Sequence, residues 1–221
     1  MRDFFNRTAK VMLGLFLYAL GLFLSIRANI GLAPWDAFSI GVSGITGISY
    51  GYVSILTGII ILIVVVLFLK EKIGAATILN TIFIGVFVDL FQSLNIVPYM
   101  TNFFLGILML LAGQIVVSFA TYFYISPGLG CGPRDTLMVA LAKVLPNIPI
   151  GAIRGVIEGT VLIIGWLLGA KVGLGTVIAV FGMGSIMQMT FKLLHFEVRE
   201  VEHESILQTI SFFKNLYAKS N

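Results

Sequence analysis

Charge and cysteine are both scarce in this sequence. One cysteine, Cys131, stands among 221 residues, which rules out an intramolecular disulfide and any cysteine-rich metal cluster. Asp, Glu, Lys and Arg supply 11% of the chain, against about 25% in an ordinary soluble domain. Half of the 24 charges fall in residues 1–10 and 192–221, leaving 12 for the 181 residues between. No phosphate-binding loop, zinc-hydrolase motif, nucleophile elbow or dinucleotide fingerprint occurs, so neither an enzyme nor a cofactor is expected. The net charge of +4 does not indicate nucleic acid, because the basic residues sit at the ends of apolar runs and leave no basic, aromatic-interleaved patch. The apolar run after Arg2, Arg7 and Lys10 continues into Arg27 without a small-x-small site, so an uncleaved first span is expected rather than a signal peptide.

What the chain does have is long apolar runs, with 58% apolar residues overall. That much apolar surface with so little charge marks an all-α polytopic membrane protein. Six stretches reach the roughly 20 residues needed to cross a bilayer: about 9–28, 49–69, 73–96, 102–125, 150–170 and 172–193. Residues 29–48 and 126–149 are too polar and Gly/Pro-broken to span and too apolar for plain loops. Each is expected to be a turn followed by a half-length helix starting at Pro34 or Pro133. With the N-terminus in the cytoplasm, eleven Lys and Arg lie inside and only Arg27 and Lys171 outside, so both termini are expected to be cytoplasmic. Arg27 is expected to snorkel to the outer surface. Residues 196–221 form a tail, in which Ile206, Ile210, Phe213 and Tyr217 follow the spacing of an amphipathic helix. His195 and His203 near Glu197, Glu200 and Glu204 read as part of that solvated tail rather than as a metal site.

The chain also matches itself. An offset of 99 places Gly14 on Gly113, Ile26 on Ile125, Gly31 on Gly130, Pro34 on Pro133 and Asp36 on Asp135. After a one-residue adjustment around Ile48 and Ile148, Gly74 falls on Gly173, Thr77 on Thr176, Gly85 on Gly184 and Asp89 on Gln188. Matches at Gly, Pro and polar positions point to duplication, with one repeat over about 9–96 and the other over about 102–195 in a single transmembrane domain, 1–195. Each repeat has an odd number of spans, three, so the second is expected to enter the membrane from the opposite side, as in many secondary transporters. The half-length helices would then meet near the midplane with their N-termini inward. The same Pro and Asp residues also suit two ordinary well-started helices, and both readings stand at this point.

Charge at membrane depth requires a partner or a purpose. Six residues qualify: Asp36, Asp89, Arg134, Asp135, Arg154 and Glu158. Arg154 and Glu158, four apart, share a helix face, where they either neutralise each other or line a hydrophilic path. The first repeat has Ser54 and Gly58 at those positions, so the pair is not a requirement of the repeat and reads as functional. Asp89 is the expected proton carrier and Gln188 its counterpart in ion coupling. Asn80 reads as interhelical glue, and Gly151, Gly155, Gly159, Gly165, Gly169 and Gly173 as close helix contacts. Cys131, between Gly130 and Gly132, reads as a small side chain at a close backbone approach.

These features predict a small secondary transporter or permease for a polar or charged solute. Arg134 and Arg154 would hold an anionic group, and Asp36, Asp135 and Glu158 a cationic group or coupling ion, with Trp35 also in the substrate site. An aquaporin-like channel and a non-transporting subunit or scaffold are the alternatives, and a homo-oligomer or protein partner is compatible with each. At Gly31-Leu32-Ala33-Pro34-Trp35-Asp36-Ala37 and at Gly128-Leu129-Gly130-Cys131-Gly132-Pro133-Arg134-Asp135-Thr136-Leu137-Met138, the chain resembles the YczE/YyaS/YitT group of bacterial integral membrane proteins, and most closely its YczE-like branch. The span pattern matches over roughly residues 5–195. Thr136 departs from the Gly that usually follows the second Asp in that group. The resemblance implies a multi-pass protein of the bacterial plasma membrane and supplies no substrate.

Overall fold

The structure, a computed structural model, describes residues 2–148, 150–197, 201, 203–209 and 211. Among these, eight α-helices follow one another: α1 (Arg2–Arg27), α2 (Pro34–Thr46), α3 (Tyr50–Leu67), α4 (Ala75–Leu94), α5 (Phe103–Ile125), α6 (Pro133–Val144), α7 (Ile150–Leu167) and α8 (Leu174–Leu193). Five of them, α1, α3, α4, α5 and α8, are long and apolar enough to cross a membrane. α7 matches α3 in length, 18 residues each, and carries Arg154 and Glu158. The molecule is an all-α, multi-span membrane protein.

Local chemistry sets the helix starts. Pro34 and Pro133 occupy the first turns of α2 and α6, where proline's missing N–H costs nothing and its fixed φ favours the helix. Asn102 accepts the Phe104 and Leu105 N–H groups at 2.9 and 3.1 Å to start α5. Thr77 and Thr176 each accept an N–H at 3.2 Å, from Gly74 and Gly173, at the starts of α4 and α8.

α1 and α5 cross at the centre, where Gly21 and Gly113 bring the two backbones together: a Cβ on Gly21 would lie 2.6 Å from the Gly113 carbonyl oxygen, and one on Gly113 2.7 Å from that of Gly21. Val11, Leu15, Ala19, Phe23, Val117 and Tyr124 fill the core around that crossing. α4 packs on α1, and α8 on α5. The short helices cross over: α2 packs on α7, and α6 on α3. Gly165 receives the α2 backbone at Ala37, while Ile61 and Val65 of α3 enclose Ala140 of α6. The loops before the short helices cross over too. The Ile30 carbonyl accepts the Gly175 N–H at 2.9 Å, and the Leu129 carbonyl the Ala76 N–H at 2.8 Å.

Several expectations need correction. Gly155, Gly159 and Gly169 have open space where a Cβ would point, whereas Gly165 and Gly173 are in close contact, so the four-residue glycine rhythm does not mark one continuous helix seam. Arg27 does not snorkel. It is 6% exposed, its guanidinium lies 5.1 Å from the Phe23 ring and 4.4 Å from the Tyr99 ring, and the Gln92 carbonyl accepts one N–H at 3.4 Å. In the tail, helix covers 206–209 and 211, while Ile210, Phe213 and Tyr217 of the expected amphipathic helix lie outside the described residues. No three His, Cys, Asp or Glu side chains group as metal ligands among the described residues.

Candidate functional site

The starts of α2 and α6 face one another inside the bundle. Gly31 and Gly130 turn the chain into them at φ +131° and +116°, a region that L side chains rarely adopt. Each glycine is pressed onto the other half of the molecule. A Cβ on Gly31 would meet the Thr176 and Gly173 backbone nitrogens at 2.7 and 2.9 Å, and one on Gly130 would meet Thr77 Oγ1 and Gly74 Cα at 2.7 and 2.8 Å. The residues after the two prolines, Trp35 and Arg134, also touch, with the guanidinium carbon 4.8 Å from the indole centroid. Such a stack is worth about 0.5–2 kcal/mol, more as water is excluded.

Two adjoining chambers surround this stack. A smaller one of about 130 Å³ is lined by Ser54, Gly58, Asn80, Tyr124, Asp135 and others. A larger one of about 370 Å³ reaches Asp36, Gln114, Met183, Gly184 and Met187. Tyr18, Leu22, Trp35, Arg134, Arg154 and Glu158 line both. The structure therefore brings together Trp35, Asp36, Arg134, Asp135, Arg154 and Glu158, six of the eight residues singled out from the sequence.

The carboxylates have partners. Tyr50 donates its hydroxyl to Asp36 at 2.8 Å and Tyr124 to Asp135 at 3.3 Å. Both Asp residues lie in the first turn of a short helix, where the helix dipole favours an anion by about 0.3–1 kcal/mol. Glu158 accepts Nε of Arg154 at 2.8 Å, the expected pairing across one helical turn. Arg134 is different. Among the described residues its guanidinium makes no hydrogen bond, and no carboxylate oxygen lies within 4.0 Å of it. The terminal nitrogens of Arg154, a side chain 55% exposed, make no hydrogen bond among the described residues either. Two guanidinium groups that line both chambers therefore have unused N–H donors.

Asp89 and Gln188 lie elsewhere. Asp89 takes the Gly51 N–H at 2.7 Å and the Ser49 hydroxyl, so both carboxylate oxygens close the start of α3 against α4. Gln188 is exposed on α8 and lines neither chamber. Asn80 lines the smaller chamber and would meet a Cβ on Gly132 at 3.3 Å. The Cys131 thiol lies 3.4 Å from the Thr136 hydroxyl. Sequence reasoning missed Tyr18, Tyr50, Tyr124 and Gln114. Gln114, the one polar residue with an amide side chain in α5, was open to the same test as Asp89: a polar group at membrane depth demands an explanation.

A family of unknown function (DUF6198) matches residues 5–192. The uncharacterized membrane protein YczE of Bacillus subtilis (strain 168) is 32% identical over 180 residues, covering 80% of this chain and 81% of the relative. An uncharacterized protein of Haemophilus influenzae is 31% identical, with 85% of each chain covered. The uncharacterized protein YyaS of Bacillus subtilis (strain 168) is 22% identical, covering 80% of this chain and 88% of the relative. No solved structure matches. With the family matched from the first span to the end of α8, the chain belongs to the DUF6198, YczE-like family of polytopic bacterial membrane proteins.

Proposed function

We propose that the protein is a small permease for a polar or charged solute, built from two inverted three-span repeats, α1–α4 and α5–α8, each with its short helix as a re-entrant element. The observation that carries this is the pair of chambers at the facing starts of α2 and α6, lined by charges of both signs on broken helices. The exchanged contacts support the repeat. Gly31 on Gly173 and Thr176 and Gly130 on Gly74 and Thr77 are the same contact displaced by 99 residues. Trp35 and Arg134, also 99 apart, meet each other, as equivalent positions on a pseudo-twofold axis do.

One departure from that symmetry favours alternating access over a fixed pore. α3 packs along α4, with Gly51 and Gly85 backbone to backbone and Asp89 tying the end shut. Among the described residues, the counterparts α7 and α8 do not pack on each other in this way. The larger chamber lies between Arg154 and Glu158 of α7 and Gly184 and Met187 of α8, and a Cβ on Gly184, the counterpart of Gly85, would meet nothing within 4 Å. One repeat is closed where the other is parted. With the cytoplasmic termini that the positive-inside bias favours, the closed side is external and the parted side cytoplasmic. The opposite state would part α3 from α4 and join α7 to α8.

The test is counterflow of solute mixtures in proteoliposomes, starting from amino acids and organic acids. Wild-type protein exchanges at least one class, and Arg154→Gln abolishes that exchange while eluting as the same monodisperse species. Undiminished exchange in Arg154→Gln overturns the site. Conduction that continues without saturation favours a channel.

A further inference from the structure

Gln114 is an unusual residue for the middle of a membrane helix. It is 4% exposed, lies on α5 and lines the larger chamber shared by Arg134 and Arg154. Its Nε2 faces the Ile178 carbonyl at 3.4 Å, which fixes the amide's orientation, because the oxygen would be repelled there. Oε1 is consequently the atom left over; it is buried against α8, 3.3 Å from where a Cβ on Gly182 would be, with no hydrogen-bond partner among the described residues. An unpaired buried acceptor is disfavoured unless something completes it.

We propose that the larger chamber binds a small organic anion that also carries a hydrogen-bond donor, such as an amino acid or hydroxy acid. Its oxyanion rests on the free guanidinium edges of Arg134 and Arg154, and its ammonium or hydroxyl donates to Gln114 Oε1 when the amide swings from Gly182 toward the chamber. The proposal rests on reading the chamber as a solute site and specifies what that solute is. A cation is the poorer match. Each carboxylate at the chamber already has a partner: Asp36 from Tyr50, Asp135 from Tyr124 and Glu158 from Arg154. Among the described residues the unused groups include two guanidiniums and one amide oxygen, which call for an anion and one donor. Guanidinium N–H groups suit the paired oxygens of a carboxylate, and a sulfonate presents comparable oxygens. The chamber's 370 Å³ is the space of about a dozen waters at ~30 Å³ each, enough for a solute of amino-acid size.

The protein carries its own reporter. Its two tryptophans are Trp35 and Trp166, so Trp166→Phe leaves Trp35, stacked beneath Arg134, as the sole source of indole fluorescence. The experiment titrates this variant in detergent with acids matched for length: acetate against glycine and glycolate, propionate against β-alanine and 3-hydroxypropionate, butyrate against 4-aminobutyrate. Ethylamine is the cationic control and ethanesulfonate and taurine are the sulfonate pair. At least one donor-bearing acid is expected to bind about tenfold or more tightly than its plain partner, because a site built for a hydrogen bond rejects an analogue that leaves it unpaired. Arg134→Gln weakens every acid, and Arg134→Lys restores part of the loss. Gln114→Leu removes the preference while the plain acid still binds.

Equal binding of both members of every pair overturns the proposal. So does a preference that survives Gln114→Leu, binding of ethylamine in place of the acids, or no saturable response to any acid. Because binding is read without flux, the two levels separate: binding of this pattern with no exchange in vesicles keeps this site and removes the permease, while exchange of a pure cation keeps the permease and removes this site.

Discussion

Gly31 and Gly130 are the residues on which the short helices depend. Each holds a left-handed backbone and has another part of the chain against the place where a side chain would be, Gly31 facing backbone nitrogens and Gly130 facing Thr77 Oγ1 and the Gly74 backbone. Alanine at either position adds strain of about 1–3 kcal/mol, together with the cost of displacing a loop held by the Ile30–Gly175 or Leu129–Ala76 hydrogen bond. Gly31→Ala and Gly130→Ala should each lower the unfolding midpoint in detergent by several degrees, and by similar amounts because the contacts are related. A thermal melt followed by circular dichroism checks this, and an unchanged midpoint in either variant contradicts it. These two glycines were legible in the sequence because glycine and proline report backbone geometry directly. The tyrosines beside Asp36 and Asp135 were not. In a chain with 12% aromatic residues, nothing distinguishes a tyrosine that donates to a buried carboxylate from one that packs against lipid, and only the fold brings Tyr124 to Asp135 or Tyr50 to Asp36.

At the scale of elements, the starts of the short helices were readable from Pro34 and Pro133, and most helix limits from their polar punctuation. The sequence did not reveal how the tail is seated. Its residues 203–206 lie against the face formed by the α3–α4 and α5–α6 loops: Glu204 donates its N–H to the Gly128 carbonyl at 2.8 Å and Ile206 its N–H to the Ile73 carbonyl at 2.9 Å. Arg7 bridges the two chain ends, donating to the Pro127 carbonyl at 2.9 and 2.7 Å and pairing with Glu204 at 2.8 Å. Periodicity identifies an apolar helix face but not the loop carbonyls that will receive the segment's N–H groups. His203 sits in this contact beside Glu71, Lys72 and Glu204, and partial burial pushes its imidazole below the ordinary value. A lowered pKa means that the seated tail binds fewer protons than the released tail at mildly acidic pH. Seating is therefore at full strength above about pH 6.5 and weakens as pH falls below it. A spin label at Leu207→Cys, on an exposed side chain in a Cys131→Ser background, should become more mobile between pH 7.5 and pH 5.5. His203→Gln should flatten that response, and a response that persists in His203→Gln assigns it to another group.

For the whole molecule, the low charge count identified a membrane protein and then isolated six residues at membrane depth, of which five line the chambers and the sixth, Asp89, holds two helices together. The proposed alternation rests on a difference in packing that the sequence could not contain, because matching residues give no indication whether α3–α4 and α7–α8 are packed alike. That difference gives the most direct test of alternation. A Cβ on Gly85 would lie 2.5 Å from the Gly51 carbonyl oxygen and 2.8 Å from Ile55 Cγ1, so the closed α3–α4 contact admits no side chain there. The matching position on α8 is Gly184, where a Cβ would meet nothing within 4 Å. Gly184→Ala should therefore be accepted by this state, and should even favour the α8 helix by about 0.5–1 kcal/mol, since alanine is the better helix former. It should also hold α8 off α7 and prevent the opposite state from closing. The expected variant has an equal or higher unfolding midpoint, Trp35-reported binding that persists, and no counterflow. A fixed channel would keep conducting with the same substitution, because no closure of α7 on α8 enters its cycle. Retained flux in a stable Gly184→Ala protein thus rejects alternation and leaves the chambers as parts of a pore. Loss of flux with binding intact fits two repeats that exchange roles.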